Sequence, residues 1–346
     1  MTEPGSPPAA PEPEHPLPWW EAPDWLEAAT AWIRELVARR GLAPAGEVQV
    51  VKNWSISCLL RVSVASGNLY FKAVPPLFAA EGRITETVAA LFPEHAPAVI
   101  GVEAERGWLL LDDLGPLTLR DAPFAAWEEA LRVWARLQSD CRDRVDRLLA
   151  AGLPDHRPSQ LAAEIDMLLD DPITQRAVPA PQLARLRAQA PRLRALCAEV
   201  ADSFPSATLI HGDLHPGNVA VRDSRPIFFD WTDGAIGHPF CDLATFLPDV
   251  DELTKQGIAD APERLRNAYL SVWADQTGRD PDQLAQTFES AYTVGSLVQA
   301  LSYRRILHGT PAQAHYDWPE ALAYFLGRVL EGLEDNDGTP PSYEQL

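Results

Sequence analysis

Apolar residues first recur at helical spacing in the stretch that begins at Asp24, where Leu26, Ala29, Ile33, Leu36 and Val37 fall on one face. Asp24 is a candidate N-cap with Glu27 three residues on, and Gly41 is the stop. Trp25 and Trp32 widen the apolar face, which predicts that this helix docks onto a lobe of the protein. From Glu47 to Val74 the pattern changes. The runs EVQVV, CLLRVSV and LYFKAV are β-branched or aromatic and predict strands, with Ser66-Gly67-Asn68 as a hairpin turn. A helix over Glu81–Phe92 follows, then two more strands, AVIGVEA and GWLLLDD, around Arg106-Gly107. The result is a small antiparallel sheet with one inserted helix. Asp112-Asp113-Leu114-Gly115-Pro116 then breaks the pattern.

Beyond that break helical spacing dominates. Phe124, Trp127, Leu131, Trp134 and Leu137 share one face of residues 122–141, and further amphipathic runs cover 143–152, 159–170, 180–203, 259–276, 280–308 and 318–334. Only Leu209–Trp231, LIHGDLHPGNVAVRDSRPIFFDW, interrupts them with short strands. The expected organisation is a Pro- and Glu-rich disordered start (1–16), a β-rich N-lobe (17–112), a linker (113–120), a helical C-lobe (121–335) and a short tail (336–346). The class is α+β.

Composition narrows the function. The 346 residues are enough for two cores. With 29 basic against 49 acidic side chains the formal charge is -20, a surface that repels phosphate backbones and argues against general nucleic-acid binding. Cys58, Cys141, Cys197 and Cys241 form no C-x-x-C pair, so neither a zinc ribbon nor a disulfide framework is supported. They read as small buried hydrophobes of a reducing compartment. No signal-peptide pattern and no membrane-spanning apolar run is visible, so the expected location is the cytoplasm.

The Leu209–Trp231 stretch sets polar chemistry against the apolar run Ile227-Phe228-Phe229. NVAV and PIFF predict two strands joined by Asp223-Ser224-Arg225. With that loop, Val221 faces Ile227, Val219 faces Phe229, and Asn218 faces Asp230. An amide oxygen and a carboxylate so placed can share a hard divalent ion such as Mg²⁺. Pro216-Gly217 makes a turn that lets Asp213 curl back to the same mouth.

HGDLHPGN followed by FFDW resembles the catalytic segment of the aminoglycoside phosphotransferase and choline kinase group of the protein-kinase-like superfamily. The resemblance spans roughly residues 45–305 and implies a two-lobed fold that binds ATP and Mg²⁺ between its lobes. It implies that Asp213 accepts the proton of a substrate hydroxyl and that Asn218 and Asp230 hold the metal. GHPFCDLA matches a further family segment, in which Asp242 is a buried buttress; His211 supports the same loop, and His215 lies near the phosphates. Lys72 in LYFKAV would grip the α/β-phosphates, aligned by Glu81, which shares the inner face of its helix with Ile84, Thr85 and Val88; Glu86 is the alternative. Asp112, Asp113 and Leu114 stand where the family's linker receives adenine. Two departures stand out. The loop KNWSISC has no glycine, leaving Ser55 and Ser57 as candidate phosphate contacts, and Thr232 stands where many relatives carry an acid.

The implied activity is transfer of the γ-phosphoryl group to a hydroxyl of an aminoglycoside-, choline- or sugar-like small molecule. The alternative is a kinase-like nucleotide-binding or sensing protein with little or no turnover. A protein kinase is disfavoured because D-F-G and A-P-E are missing, and a metallophosphoesterase because its further ligand blocks are missing. For the acceptor pocket the candidates are Trp231 and Asp233 beside the metal, with Gln299, Tyr303 and Arg304 on one flank of a C-lobe helix. An acidic, aromatic wall would suit an amine-bearing alcohol, and Tyr303 with Arg304 a phosphate- or carboxylate-bearing one.

Overall fold

The computed structural model describes residues 19–247, 257–258, 260–312, 315 and 317–335. The expectations for 1–16 and 336–346 lie outside the described residues. Helix α1 (Trp25–Arg39) precedes strands β1 (Pro44–Asn53), β2 (Cys58–Val64) and β3 (Gly67–Ala73), helix α2 (Glu81–Leu91), and strands β4 (Val99–Glu103) and β5 (Trp108–Asp112). The strands form one antiparallel sheet in the order β1-β2-β3-β5-β4. Asp24 precedes α1 but makes no side-chain cap, while Gly41 adopts the expected left-handed φ of 67°. The β2–β3 turn is Ala65-Ser66 rather than Ser66-Gly67-Asn68, because Gly67 already pairs with Val64.

Alternation decides the two faces of this sheet. Cys58, Leu60, Val62, Leu69, Phe71 and Ala73 are buried toward α1. Trp25 and Trp32 of α1 stack their edges on Phe71 and Trp108 at centroid distances of 5.6–6.3 Å, so the tryptophans do dock the helix. The opposite face, carrying Leu59, Tyr70 and Lys72, is left for the cleft.

The second lobe is helical: α3 (Phe124–Cys141), α4 (Val145–Ala150), α5 (Pro158–Asp170), α6 (Pro172–Ala177), α7 (Ala180–Asp202), α8 (Leu243–Phe246), α9 (Ala261–Thr277), α10 (Pro281–Gly309) and α11 (Trp318–Asp335). Two short sheets are set among them, β6 (Thr208–Ile210) with β9 (Ala235–Gly237) and the hairpin β7 (Val219–Arg222) with β8 (Arg225–Phe228). All four cysteines are free and buried. No described helix is long and apolar enough to cross a membrane.

The hairpin corrects the expected register. Val219 pairs with Phe228, Ala220 with Ile227 and Arg222 with Arg225. The loop therefore has two residues, not three: Asp223 and Ser224 both have positive φ (52° and 62°), as a type I′ turn needs. The one-residue slip sets Asn218 against Phe229, whose N–H donates to the Asn218 carbonyl at 3.1 Å, instead of against Asp230.

Candidate active site

Lys72 leaves β3 on the cleft face. Its ammonium donates to Glu81 Oε1 on α2 and to Asp230 Oδ1 beyond β8, each at 2.7 Å. One contact is local and the other joins the two lobes across the cleft. Glu81 is buried whereas Glu86, on the same helix, points to solvent, so of the two it is Glu81 that meets the lysine. Burial opposes charge on all three groups. Against it, the two carboxylates hold the Lys72 pKa above its ordinary range, and the lysine together with the Thr232 hydroxyl holds Asp230 down at about 2. Glu81 goes the other way: burial, reinforced by Asp230 and only partly offset by Lys72, pushes it up to about 7. Thr232 has a definite use here, donating to Asp230 Oδ1 at 2.8 Å.

Asp230 has φ of 65°, a left-handed conformation costly for a residue with a side chain. It turns the chain out of β8 and aims the carboxylate at Lys72. The preceding residue is fixed from the catalytic-type loop: the Phe229 carbonyl accepts from His211 Nε2 at 3.0 Å. Because a carbonyl can only accept, Nε2 carries the proton, and burial keeps the ring neutral by lowering its pKa to about 4.

The loop itself hangs on Asp242. This buried carboxylate accepts from the N–H groups of His211 (3.0 Å) and Gly212 (2.9 Å), from Trp134 Nε1 (3.0 Å) and from Gln138 Nε2 (3.0 Å). Burial pushes its pKa to about 7, and the Gly212 and His211 N–H groups and the Trp134 indole pull it back toward the ionised form they suit. Gly212 is required sterically as well. Its φ is 77°, and a Cβ there would lie 2.1 Å from the Asp233 carbonyl oxygen.

From this anchored start Asp213 reaches the cleft with its side chain 39% exposed, open to a substrate. Asn218 Nδ2 donates to the Asp213 carbonyl at 3.0 Å and to Asp213 Oδ2 at 3.1 Å. The structure thus brings Asp213 and Asn218 together, and ties Asn218 by backbone to the residue before Asp230. His215 curls under the loop, its Nδ1 accepting from Gly217 N–H at 3.0 Å and its Nε2 3.7 Å from Asp213 Oδ2. Among the described residues no three His, Cys, Asp or Glu side chains form a metal-binding group. The oxygen donors on offer are the Asn218 amide, whose nitrogen is engaged, and the ionised Asp230; two such hard donors fit a cation like Mg²⁺ that keeps further positions for water and phosphate.

The linker candidates are held from both sides. Asp113 Oδ1 accepts from Gly115 N–H at 2.8 Å, and its carbonyl accepts from Arg222 Nη1 at 3.1 Å; the same guanidinium lies 3.8 Å from Asp112. Leu114 follows, half-buried. Ser55 is buried and Ser57 half-buried in a turn closed by Trp54 N–H donating to the Ser57 carbonyl at 2.8 Å.

The acceptor candidates separate. Trp231 is a correction: it is fully buried, its ring 4.6 Å from His211 and its Nε1 donating to the Phe228 carbonyl, so it is core and no ligand can reach it. Gln299 is likewise structural, donating to the Gly212 carbonyl. Arg304 turns away to Asp171 (3.2 Å), which also meets His308 at 2.6 Å. Asp233 pairs with Arg305 at 3.0 Å and with Ser302. Tyr303 stacks on Phe325 at 5.7 Å, and burial, with the Asp213 and Asp233 charges, raises its pKa. A cavity of about 540 Å³ opens beside Arg304 between Leu77, His156, Glu164 and His308, and neither Asp213 nor Tyr303 lines it. The parts missed from sequence, Gln138, Asp171, Arg222 and Arg305, lie on separate elements with no local motif.

Comparison with known proteins bears on the family and the fold. The sequence model of the phosphotransferase enzyme family (APH) matches residues 68–286. Among solved structures, the macrolide 2'-phosphotransferase from Brachybacterium faecium is similar at 18% identity and TM-score 0.56, covering 86% of this chain and 98% of that one. Ethanolamine kinase from Plasmodium vivax is similar at 13% identity and TM-score 0.59, covering 83% and 84%. An amicoumacin kinase in complex with AMP-PNP and Ca²⁺ is similar at 14% identity and TM-score 0.54, covering 92% and 98%. At these identities the likeness is one of fold, a kinase-like two-lobed α+β architecture. No curated protein matches the chain in sequence.

Proposed function

The chain belongs to the phosphotransferase enzyme family, and from that premise we propose that it transfers the γ-phosphoryl group of ATP to a hydroxyl of a small molecule. The observation that carries this reading is Lys72, held at 2.7 Å by both Glu81 and Asp230 and so aimed into the cleft that Asp213 also faces. The acceptor is an aminoglycoside-, choline- or sugar-like alcohol. Four buried free thiols suit the cytoplasm as its compartment.

In this mechanism Asp213 takes the proton of the acceptor hydroxyl as its oxygen attacks the γ-phosphorus in line with the departing ADP oxygen. Asn218 fixes the Asp213 carboxylate through the 3.1 Å bond to Oδ2. Lys72 holds the α/β-phosphates, and Glu81 and Asp230 keep it charged and oriented. Asn218 and Asp230 are the residues that would hold Mg²⁺, which when bound neutralises charge on the phosphate oxygens. The backbone of Asp112 to Leu114 receives the adenine. Tyr303, stacked on Phe325 and under the influence of the Asp213 charge, borders the acceptor pocket.

The test is ATP consumption with aminoglycosides, choline, ethanolamine and sugar alcohols, run beside Asp213→Ala. Turnover should fall at least about a hundredfold in the variant, the scale of a lost general base, while nucleotide affinity stays near wild type. Full turnover in Asp213→Ala would refute the assignment of the base. Tight ATP binding with no turnover on any acceptor would favour the sensing alternative.

A further inference from the structure

Deepening that reading, and resting on it, we propose that Lys52 is a second phosphate-binding cation of the nucleotide site. Strand β1 would then grip the triphosphate with a side chain where a glycine-rich loop uses close backbone approach. The segment Lys52–Cys58 contains no glycine, so another grip is required.

Sheet register puts Lys52 in place. Lys52 pairs with Leu59 on β2, and Leu59 pairs with Lys72 on β3. Directly opposed residues project to the same face, so the two lysines stand in one row on the cleft side. At about 4.8 Å per strand their Cα atoms are about 10 Å apart, within the span of a triphosphate and two extended lysines. This alignment depends on a bulge. Val50 pairs with Leu60 and Lys52 with Leu59, so Val51 is the inserted residue. Without the insertion Val51 would occupy the row and Lys52 would point to the other face. Bulges beside active sites re-aim side chains in this way.

A support for the side chain is already present. The Lys52 ammonium lies 3.3 Å from the centroid of the Trp54 ring, which stays 43% exposed on the loop. Burial lowers the Lys52 pKa, Asp230 raises it and Lys72 lowers it, so the charges of both cleft residues are felt at Lys52.

Charge supplies the reason for a second cation. Lys72 sits between Glu81 and Asp230, so one positive charge faces two negative ones when all three are ionised. Adding Lys52 neutralises the group before a polyanionic nucleotide enters a chain of formal charge -20. A lysine ammonium serves as a phosphate-binding point charge.

Isothermal titration of Mg-ATP and of adenosine into wild type, Lys52→Gln, Lys52→Arg and Trp54→Ala tests this. Lys52→Gln should weaken Mg-ATP about tenfold or more, the worth of one charge-assisted contact, and leave adenosine within about twofold. Lys52→Arg should recover most of the loss, and Trp54→Ala should fall between. Wild-type Mg-ATP affinity in Lys52→Gln overturns the proposal, and so does an equal loss of ATP and adenosine, which would mark Lys52 as structural. A wild-type protein that binds no nucleotide at all sinks the phosphotransferase reading itself, a result distinct from either. Lys52 is exposed on an edge strand, so its variants should melt with the wild type.

Discussion

Asp242 shows how one residue can support a site it never touches. Its carboxylate gathers two loop N–H groups, an indole and an amide, all donors and all buried. Asp242→Ala would strand them, at about 1–3 kcal/mol for each buried group left unsatisfied. Urea unfolding should therefore register a loss of at least about 3 kcal/mol; a change under about 1 kcal/mol would mean the loop is held by other means. His211 makes a pH-dependent contribution. Its folded-state pKa of about 4 lies below the ordinary 6.5, so between those values the unfolded chain binds the extra proton. Stability from this group is complete above about pH 6.5, falls as pH drops toward 4, and is flat below. The stability difference between wild type and His211→Gln should shrink by up to about 3 kcal/mol from pH 7 to pH 4. The other histidines whose pKa burial lowers, His238 at about 3 and His156, are common to both proteins and cancel.

At the scale of elements, what could be read from sequence was whatever the chain writes locally. CLLRVSV is β2 residue for residue, and the helical runs after Phe124 match α3, α4, α5, α7, α9, α10 and α11 within a few positions, because amphipathic spacing is local, while the short α6 and α8 carry too few residues to show it. The short catalytic-type segment was legible for the same reason: HGDLHPGN holds Asp213 and Asn218 five residues apart, and a turn closes the distance. What was not legible needed a backbone state or a distant partner. Nothing in Asp223-Ser224 announces two consecutive positive φ values, so the hairpin register came out one residue wrong. Trp231 sits beside the site in sequence but under it in space. The bulge at Val51 is invisible until β2 fixes the pairing. The turn permits a direct check. Replacing Asp223-Ser224 with Asn-Gly, the pair that best tolerates this geometry, should raise stability by about 0.5–1 kcal/mol in thermal or urea melts. A loss would show that the turn is of another type.

Across the whole molecule, the two lobes share one apolar cluster, in which Phe78, Ile84 and Val88 pack with the helical lobe, and polar fasteners cross beside it. Arg222 of the hairpin holds the linker carbonyl of Asp113, His95 Nδ1 donates to the Pro226 carbonyl at 3.0 Å, and Phe228 N–H donates to the His95 carbonyl at 2.9 Å. These join the back of the cleft. At the site itself Lys72 and Asp230 join the lobes, and both are residues proposed to meet the incoming nucleotide and metal. A ligand that binds only the folded state stabilises it by RT ln(1 + [L]/Kd), about 2.7 kcal/mol at a hundred times Kd. Saturating Mg-ATP should therefore raise the melting temperature of the wild type by several degrees. Chelating the metal should remove most of that rise, because Asp230 then gains no cation in place of Lys72. In Asp230→Ala the shift with nucleotide should be small and the same with or without Mg²⁺, since the variant lacks the carboxylate through which metal and nucleotide are coupled. A metal-dependent shift that survives intact in Asp230→Ala would place the cation elsewhere and leave the Lys72–Asp230 contact as a structural clasp.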